Sequence, residues 1–142
     1  MRLHPDKTRV VDTTRKGGFD FLGYHFERGH HWPSRKSLGK IRDAIRDKTR
    51  RTNGHSLSEI ITTANRSLKG WFEYFKHGPS PTLRQMDGWV RMRLRSILRR
   101  RTGRRGRGRG RDHHRWPNKF FEAQGLFSLL AAQGALRQPR RG

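Results

Sequence analysis

Cysteine is absent from the 142 residues, which excludes disulfides and thiolate-ligated zinc. Carboxylates are scarce: 11 Asp and Glu stand against 34 Lys and Arg, leaving a formal net charge of +23. The acids are scattered, no two aspartates are adjacent, and most have basic neighbours. Nucleotidyl transfer needs clustered carboxylates around two divalent metals, so the protein is not expected to be an enzyme on its own. A phosphate-binding glycine loop and a Gly-x-Ser-x-Gly elbow are missing too. No apolar run approaches the ~20 residues that span a bilayer. Met1-Arg2-Leu3-His4-Pro5 lacks the apolar core of a secretory leader. The expected location is the cytoplasm, with no membrane partner.

Only 30% of the residues are hydrophobic, gathered in four short stretches. A protein of this length buries limited apolar surface, so a small core with long basic margins is expected, as one modest domain or a piece of a larger protein. A domain with this charge repels itself unless a polyanion neutralises it. Nucleic acid is the default polyanion, because phosphate contacts release condensed counterions.

Thr8-Arg-Val-Val-Asp12 and Phe19-Asp-Phe-Leu-Gly-Tyr-His-Phe26 read as two strands of a hairpin turning at Arg15-Lys-Gly-Gly18. In a continuous second strand, Phe19 and Phe21 share one face and Leu22, Tyr24 and Phe26 the other. Both faces are then apolar, and a second covering layer is expected. His30-His31-Trp32-Pro33 reads as a loop. A first helix follows with Leu38, Ile41, Ala44, Ile45 and Lys48 on one side, supported by Asp43–Arg46 and by Asp47 with Arg50 or Arg51, and ended by Asn53-Gly54. Ser56 and Glu59 form a capping box for a second helix, whose stripe is Leu57, Ile60, Ile61, Ala64, Leu68, Trp71, Phe72 and Phe75. Gly78-Pro79 stops it. Ser80-Pro81 then reads as N-cap and first residue of a third, with Leu83, Met86, Trp89 or Val90, Leu94, Ile97 and Leu98 inward. The fold class is α+β, mainly α. An N-terminal β-hairpin leads into a three-helix bundle, then a flexible Arg/Gly-rich segment and a short C-terminal extension.

The arginine tract is the strongest chemical signal. No acid lies between Asp87 and Asp112, while eight of the thirteen residues from Arg99 to Arg111 are arginine. Its glycines oppose helix and it buries nothing, so a flexible tether is expected. Unmixed arginine suits bidentate phosphate contacts and stacking on bases. The candidate nucleic-acid contacts are Arg84, Arg91, Arg95 and Arg99 on the third helix, then Arg100, Arg101, Arg104, Arg105, Arg107, Arg109 and Arg111. Among the aromatics Trp71, Phe72 and Phe75 fit the core stripe, whereas Tyr74 falls off it and joins the candidates. So do Trp32 and Trp116, each before a proline in a basic loop. His30-His31 and His113-His114 lack metal-ligand spacing and read as added hydrogen-bond donors, so no metal or other cofactor is expected in these residues.

Leu3-His-Pro-Asp-Lys-Thr-Arg-Val-Val-Asp12 and Gly18-Phe-Asp-Phe-Leu-Gly-Tyr-His-Phe26 resemble the last palm block of the group II intron reverse transcriptases, or maturases. Pro33-Ser-Arg-Lys-Ser37 and Ser67-Leu-Lys-Gly-Trp-Phe-Glu-Tyr-Phe75 are similar to the family's thumb, or maturase-specific X domain. Asp112-His-His-Arg-Trp-Pro-Asn118 with Gly125-Leu-Phe-Ser-Leu129 resembles the end of bacterial members. The resemblance runs collinearly from about Leu3 to Leu130. It implies three parts: the end of the palm over 1–30, the thumb over 31–101, and a basic linker with C-terminal extension over 102–142. It also implies a primer-grip-like hairpin at Phe21, Leu22, Gly23 and Tyr24. The implied partners are group II intron RNA, an RNA–DNA duplex and a separately encoded upstream reverse transcriptase fragment. The family's Mg2+ site belongs to palm residues expected to precede Met1. The implied work is help with intron splicing and mobility, without a polymerase site in these residues. Two alternatives stand beside it: the C-terminal piece of a split RNA-directed DNA polymerase, and a non-specific basic nucleic-acid-binding remnant.

Overall fold

The computed structural model describes residues 17–137; the strand expected at Thr8–Asp12 lies outside them. The protein divides into two compact units, the first ending at Gly39 and the second beginning at Lys40. It is mainly helical, with an antiparallel sheet at the start, which is the expected α+β class.

Strands β1 (Phe19–Phe21), β2 (Tyr24–Glu27) and β3 (His30–Pro33) form a three-stranded antiparallel sheet in sequence order. This corrects the reading of Phe19–Phe26 as one strand and of His30–Pro33 as a loop. The backbone reverses at Leu22-Gly23 (φ 49° and 83°) and again at Arg28-Gly29 (φ 50° and 78°). Positive φ at both central residues is what a two-residue hairpin loop needs to match strand twist. The reversal also changes which residues share a face. Phe21 pairs with Tyr24 and Phe19 with Phe26, so all four stand on one side, joined from β3 by His31 and Pro33. The Phe19 and Phe26 rings stack at 5.3 Å, and His31 packs on Tyr24 and Phe26. The other side holds Asp20, His25, Glu27 and Trp32, so the sheet has one apolar face rather than two. There His25 Nδ1 lies 2.6 Å from Asp20 Oδ1 and Nε2 lies 3.3 Å from Glu27 Oε1. The Asp20 bond, then the Glu27 bond, raise the imidazole pKa above 6.5. Ser34 N–H and Ser37 Oγ–H both donate to the Gly23 carbonyl, at 2.8 and 2.7 Å, which ties the first turn down.

Helix α1 (Arg35–Lys48) leads into the second unit, built on α2 (Leu57–Phe75) and α3 (Ser80–Arg101). Asp43–Arg46 and Asp47–Arg50 pair along the exposed side of α1 at 3.1 and 3.5 Å. The Glu59 N–H donates to Ser56 Oγ at 3.2 Å, the expected cap of α2. The Glu59 carboxylate meets His55 Nδ1 at 3.0 Å, so it engages a side chain where the capping box would have it reach back to the backbone. Pro79 rather than Ser80 is the N-cap of α3. The core is Ile41 and Ile45 from α1, Ile60, Ile61, Ala64, Leu68, Trp71, Phe72 and Phe75 from α2, and Leu83, Met86, Val90, Leu94 and Ile97 from α3. Burying each large apolar side chain is worth about 1.5–3 kcal/mol, which is what holds three short-linked helices together.

The segment expected to be a flexible tether is tied to α3. Arg99 Nε donates to the Arg105 carbonyl at 2.7 Å, and the buried Gly108 N–H donates to Ser96 Oγ at 2.8 Å. Gly108 approaches α3 so closely that a Cβ there would stand 2.5 Å from the Arg95 Cβ. The short helices α4 (Asp112–Arg115), α5 (Asn118–Ala123) and α6 (Leu129–Arg137) follow. Their Phe121 and Leu129 are fully buried, and α6 packs on α3 and α2. What composition suggests is a loose extension is thus part of the folded unit.

Candidate nucleic-acid interface

Successive helix residues turn by about 100°, which sorts the arginines of α3 onto separate lines. Arg84 and Arg91 share one; Arg93 and Arg100 share another, beside Trp89. Arg95 and Arg99, expected among the phosphate contacts, point inward. Arg95 is 2% exposed. Its Nε donates to the Trp116 carbonyl at 2.8 Å, its Nη2 donates to Asn118 Oδ1 at 2.9 Å, and the guanidinium lies 5.2 Å from the Phe121 ring. Burial, then the neighbouring charge of Arg91, lower its pKa, with Asp112 opposing them.

Arg99 Nη1 meets Asp112 Oδ2 at 2.9 Å, and the Arg109 N–H donates to the same oxygen at 2.9 Å. Burial of Asp112 pushes its carboxyl up. The Arg109 amide, the Arg99 bond and the charges of Arg99 and Arg104 outweigh that and hold it below 3.8. A depressed folded pKa means that this carboxylate stabilises the fold fully above the unfolded value and loses that contribution as pH falls through the folded one. The urea midpoint of the wild type is therefore expected to exceed that of Asp112→Asn by a constant margin above pH ~5, narrowing below pH ~4. A margin independent of pH down to acid unfolding would show that the charge on Asp112 does nothing.

The remaining tract arginines are exposed: Arg100 and Arg101 in the last turn of α3, then Arg104, Arg105, Arg107, Arg109 and Arg111. Among the described residues no carboxylate pairs with them. Arg101 Nη2 donates to the Asn53 and His55 carbonyls and so fastens the α1–α2 loop. The five from Arg104 to Arg111 form an arc whose backbone is fixed at Arg105, Gly108 and Arg109 while the side chains stay in solvent. Of the other candidates, Arg84 is exposed and Tyr74 is 55% exposed. Trp116 is half-buried, its carbonyl taken by Arg95. Arg91 is half-buried, with its Nε buried and unpartnered, beside a cavity of about 620 Å³ that Lys69 and Phe127 also line. Phe21, Leu22, Gly23 and Tyr24 stand at the β1–β2 turn, with Leu22 61% exposed. Trp32 lies in β3, its ring 5.1 Å from that of His25.

A second cationic group escaped the sequence reading. Trp89, an alternative to Val90 on the apolar face by spacing alone, is only half-buried, while Val90 takes the core position. The guanidinium carbons of Arg46, Arg93 and Arg42 lie 5.5, 5.9 and 6.0 Å from its ring centroid. The signal was there in the spacing: Arg42 with Arg46, and Trp89 with Arg93, are each four apart and so share a helix face. Among the described residues no group of three or more His, Asp and Glu is arranged to hold a metal, and no helix is long and apolar enough to cross a membrane.

These features define a basic helical module, a small three-helix core carrying guanidinium groups that no carboxylate among the described residues neutralises. The maturase-specific domain of group II introns matches residues 38–116, and the protein belongs to that family, with a group II intron maturase-related function. No curated protein matches it in sequence. The match takes in α2, α3, the arginine arc and α4; helices α5 and α6 lie beyond it.

Proposed function

We propose that the protein is an RNA-gripping maturase module that binds group II intron RNA and assists its splicing and mobility, with no polymerase chemistry of its own. The observation that carries this reading is the arc from Arg104 to Arg111, in which the backbone is anchored and the guanidinium groups have no acid partner among the described residues. A guanidinium on a fixed backbone offers bidentate contacts to phosphate with only its own side chain left to order on binding. Exposed Arg100, in the last turn of α3, leads into the arc, and exposed Arg84, on another line of α3, and Tyr74 are further RNA contacts in this reading. In this reading residues 1–30 are the end of a palm, with Phe21–Tyr24 as the primer-grip hairpin facing an RNA–DNA duplex. Residues 31–101 are the thumb, and 102–142 are a basic linker with its extension. The module works in the cytoplasm, and the Mg2+ chemistry of the family belongs to the palm.

Fluorescence anisotropy with a labelled group II intron RNA tests the reading. The logarithm of affinity is expected to fall linearly with that of salt, by ~0.7 for each single-strand phosphate engaged. Excess bulk tRNA should compete poorly. Affinity that hardly moves between roughly 50 and 200 mM salt sinks the phosphate-binding reading, and tRNA that competes as well as intron RNA points to the non-specific remnant.

A further inference from the structure

We propose that Arg42, Arg46 and Arg93 around Trp89 form a preformed seat for a backbone phosphate of the bound RNA, distinct from the arginine arc. The inference rests on the RNA-binding reading above and names a second contact point within it. Arg93 is already positioned. Its Nε donates to Thr49 Oγ1 at 3.1 Å and its Nη2 donates to the Thr49 and Arg46 carbonyls at 3.2 and 3.4 Å, where α1 ends. Thr49 is itself fully buried and donates to the Ile45 carbonyl at 2.6 Å, which fixes the anchor.

Among the described residues the seat carries more positive charge than its one surface carboxylate, Asp43, balances. Burial lowers the pKa of Arg93, and the charges of Arg46 and Arg51 lower it further, as expected where cations crowd without a counter-ion. Arg46 meets Asp43 at 3.1 Å, but that carboxylate is 78% exposed and such surface pairs are worth little. Asp47 is drawn to Arg50 instead. Arg42 has no carboxylate or hydrogen-bond partner among the described residues, and its buried Nε is left unsatisfied. Placing guanidinium groups over one indole holds their planes and leaves N–H edges for an oxyanion. A phosphodiester on the outward guanidinium edges would supply the missing negative charge and relieve the repulsion. Arg100 follows Trp89 by eleven residues, within ~20° of it around α3 and ~16 Å further along, so the seat and the arc lie where one strand could touch both.

The test is anisotropy of the full-length protein with a fluorescein-labelled RNA hairpin across a salt titration. Arg42→Gln with Arg46→Gln is expected to weaken binding by about fourfold near 0.15 M salt and to reduce the salt slope by about 0.7, the share of the one seated phosphate. Its helical circular dichroism should stay unchanged. Trp89→Phe, which keeps an aromatic platform, should bind within about twofold of wild type. Affinity lost with an unchanged slope, or no loss at all, overturns the proposal and leaves the arginines as a cover for Trp89. Arg104→Gln with Arg105→Gln and Arg107→Gln keeps the two readings apart. If that variant loses binding while the Arg42/Arg46 pair does not, the seat fails and RNA binding stands. If neither variant loses binding, both fail.

Discussion

Replacing Arg104, Arg105, Arg107, Arg109 and Arg111 together with glutamine is expected to weaken RNA binding roughly a thousandfold near 0.15 M salt. Five phosphate contacts at ~0.7 each make up about 3.5 of the salt slope, and that slope evaluated at 0.15 M is close to three decades. The variant should fold, because the arc is held through its backbone. Arg105 contributes its carbonyl to Arg99, Gly108 its amide to Ser96, and Arg109 its amide to Asp112. None of the five side chains is needed for those bonds. The single electrostatic cost is the Arg104 charge, which helps keep Asp112 ionised. Anisotropy with unchanged circular dichroism checks the expectation. Loss of less than about tenfold would move the site of binding away from the arc.

Where local pattern and packing agree, the fold could be read directly. The apolar stripe of α2 from Ile60 to Phe75 is buried as its spacing requires, and the exclusion of Tyr74 from that stripe matches its exposure. The first unit misled because a hairpin loop at Leu22-Gly23 lacks the usual Asn or Asp in first place. A run of alternating apolar residues through such a loop looks like one strand with two apolar faces. The second X-Gly pair, Arg28-Gly29, six residues on, was the available clue. The arginines of α3 were harder to sort. Arg84, Arg91, Arg95 and Arg99 fall on neighbouring helix positions, and only partners 13 to 23 residues away decide that Arg99 and Arg95 turn inward. Composition describes 102–111 as unable to bury anything; it does not register that a glycine can dock its backbone against a helix, as Gly108 does.

The two acids that bracket the arginine tract are both spent on holding the segments that follow α3, and Asp87 makes the larger of the two commitments. It is 5% exposed on α3 and stands at the start of α6, where Ser128 Oγ–H and the Leu130 N–H donate to its Oδ2 at 2.8 and 3.0 Å. The Leu129 N–H donates to its Oδ1 at 2.8 Å. A helix N-terminus leaves donors unsatisfied, and here the cap comes from another helix, so it joins α6 to α3 as well as ending it. Gln133 adds a second joint, its amide donating to the Lys76 and Gly78 carbonyls at 3.0 and 2.7 Å while its oxygen accepts from Ser80. Asp87→Ala removes the cap, worth about 1–2 kcal/mol, and strands at least one buried donor for about another 1–3. A loss of about 3 kcal/mol corresponds to roughly a hundredfold faster amide exchange through opening of this segment. The acceleration should appear at Leu129, Leu130 and the amides that follow. Core amides of α2, such as Leu68 and Phe72, should accelerate by less than about tenfold if α6 opens on its own. Asp87→Asn should recover only part of the loss, since one carboxylate oxygen becomes an amide that cannot accept. Exchange at Leu129 and Leu130 unchanged in Asp87→Ala would mean that apolar burial of Leu129 alone seats the helix. Because α6 lies beyond the maturase-specific match, releasing it from α3 in this variant also asks directly whether RNA binding needs it.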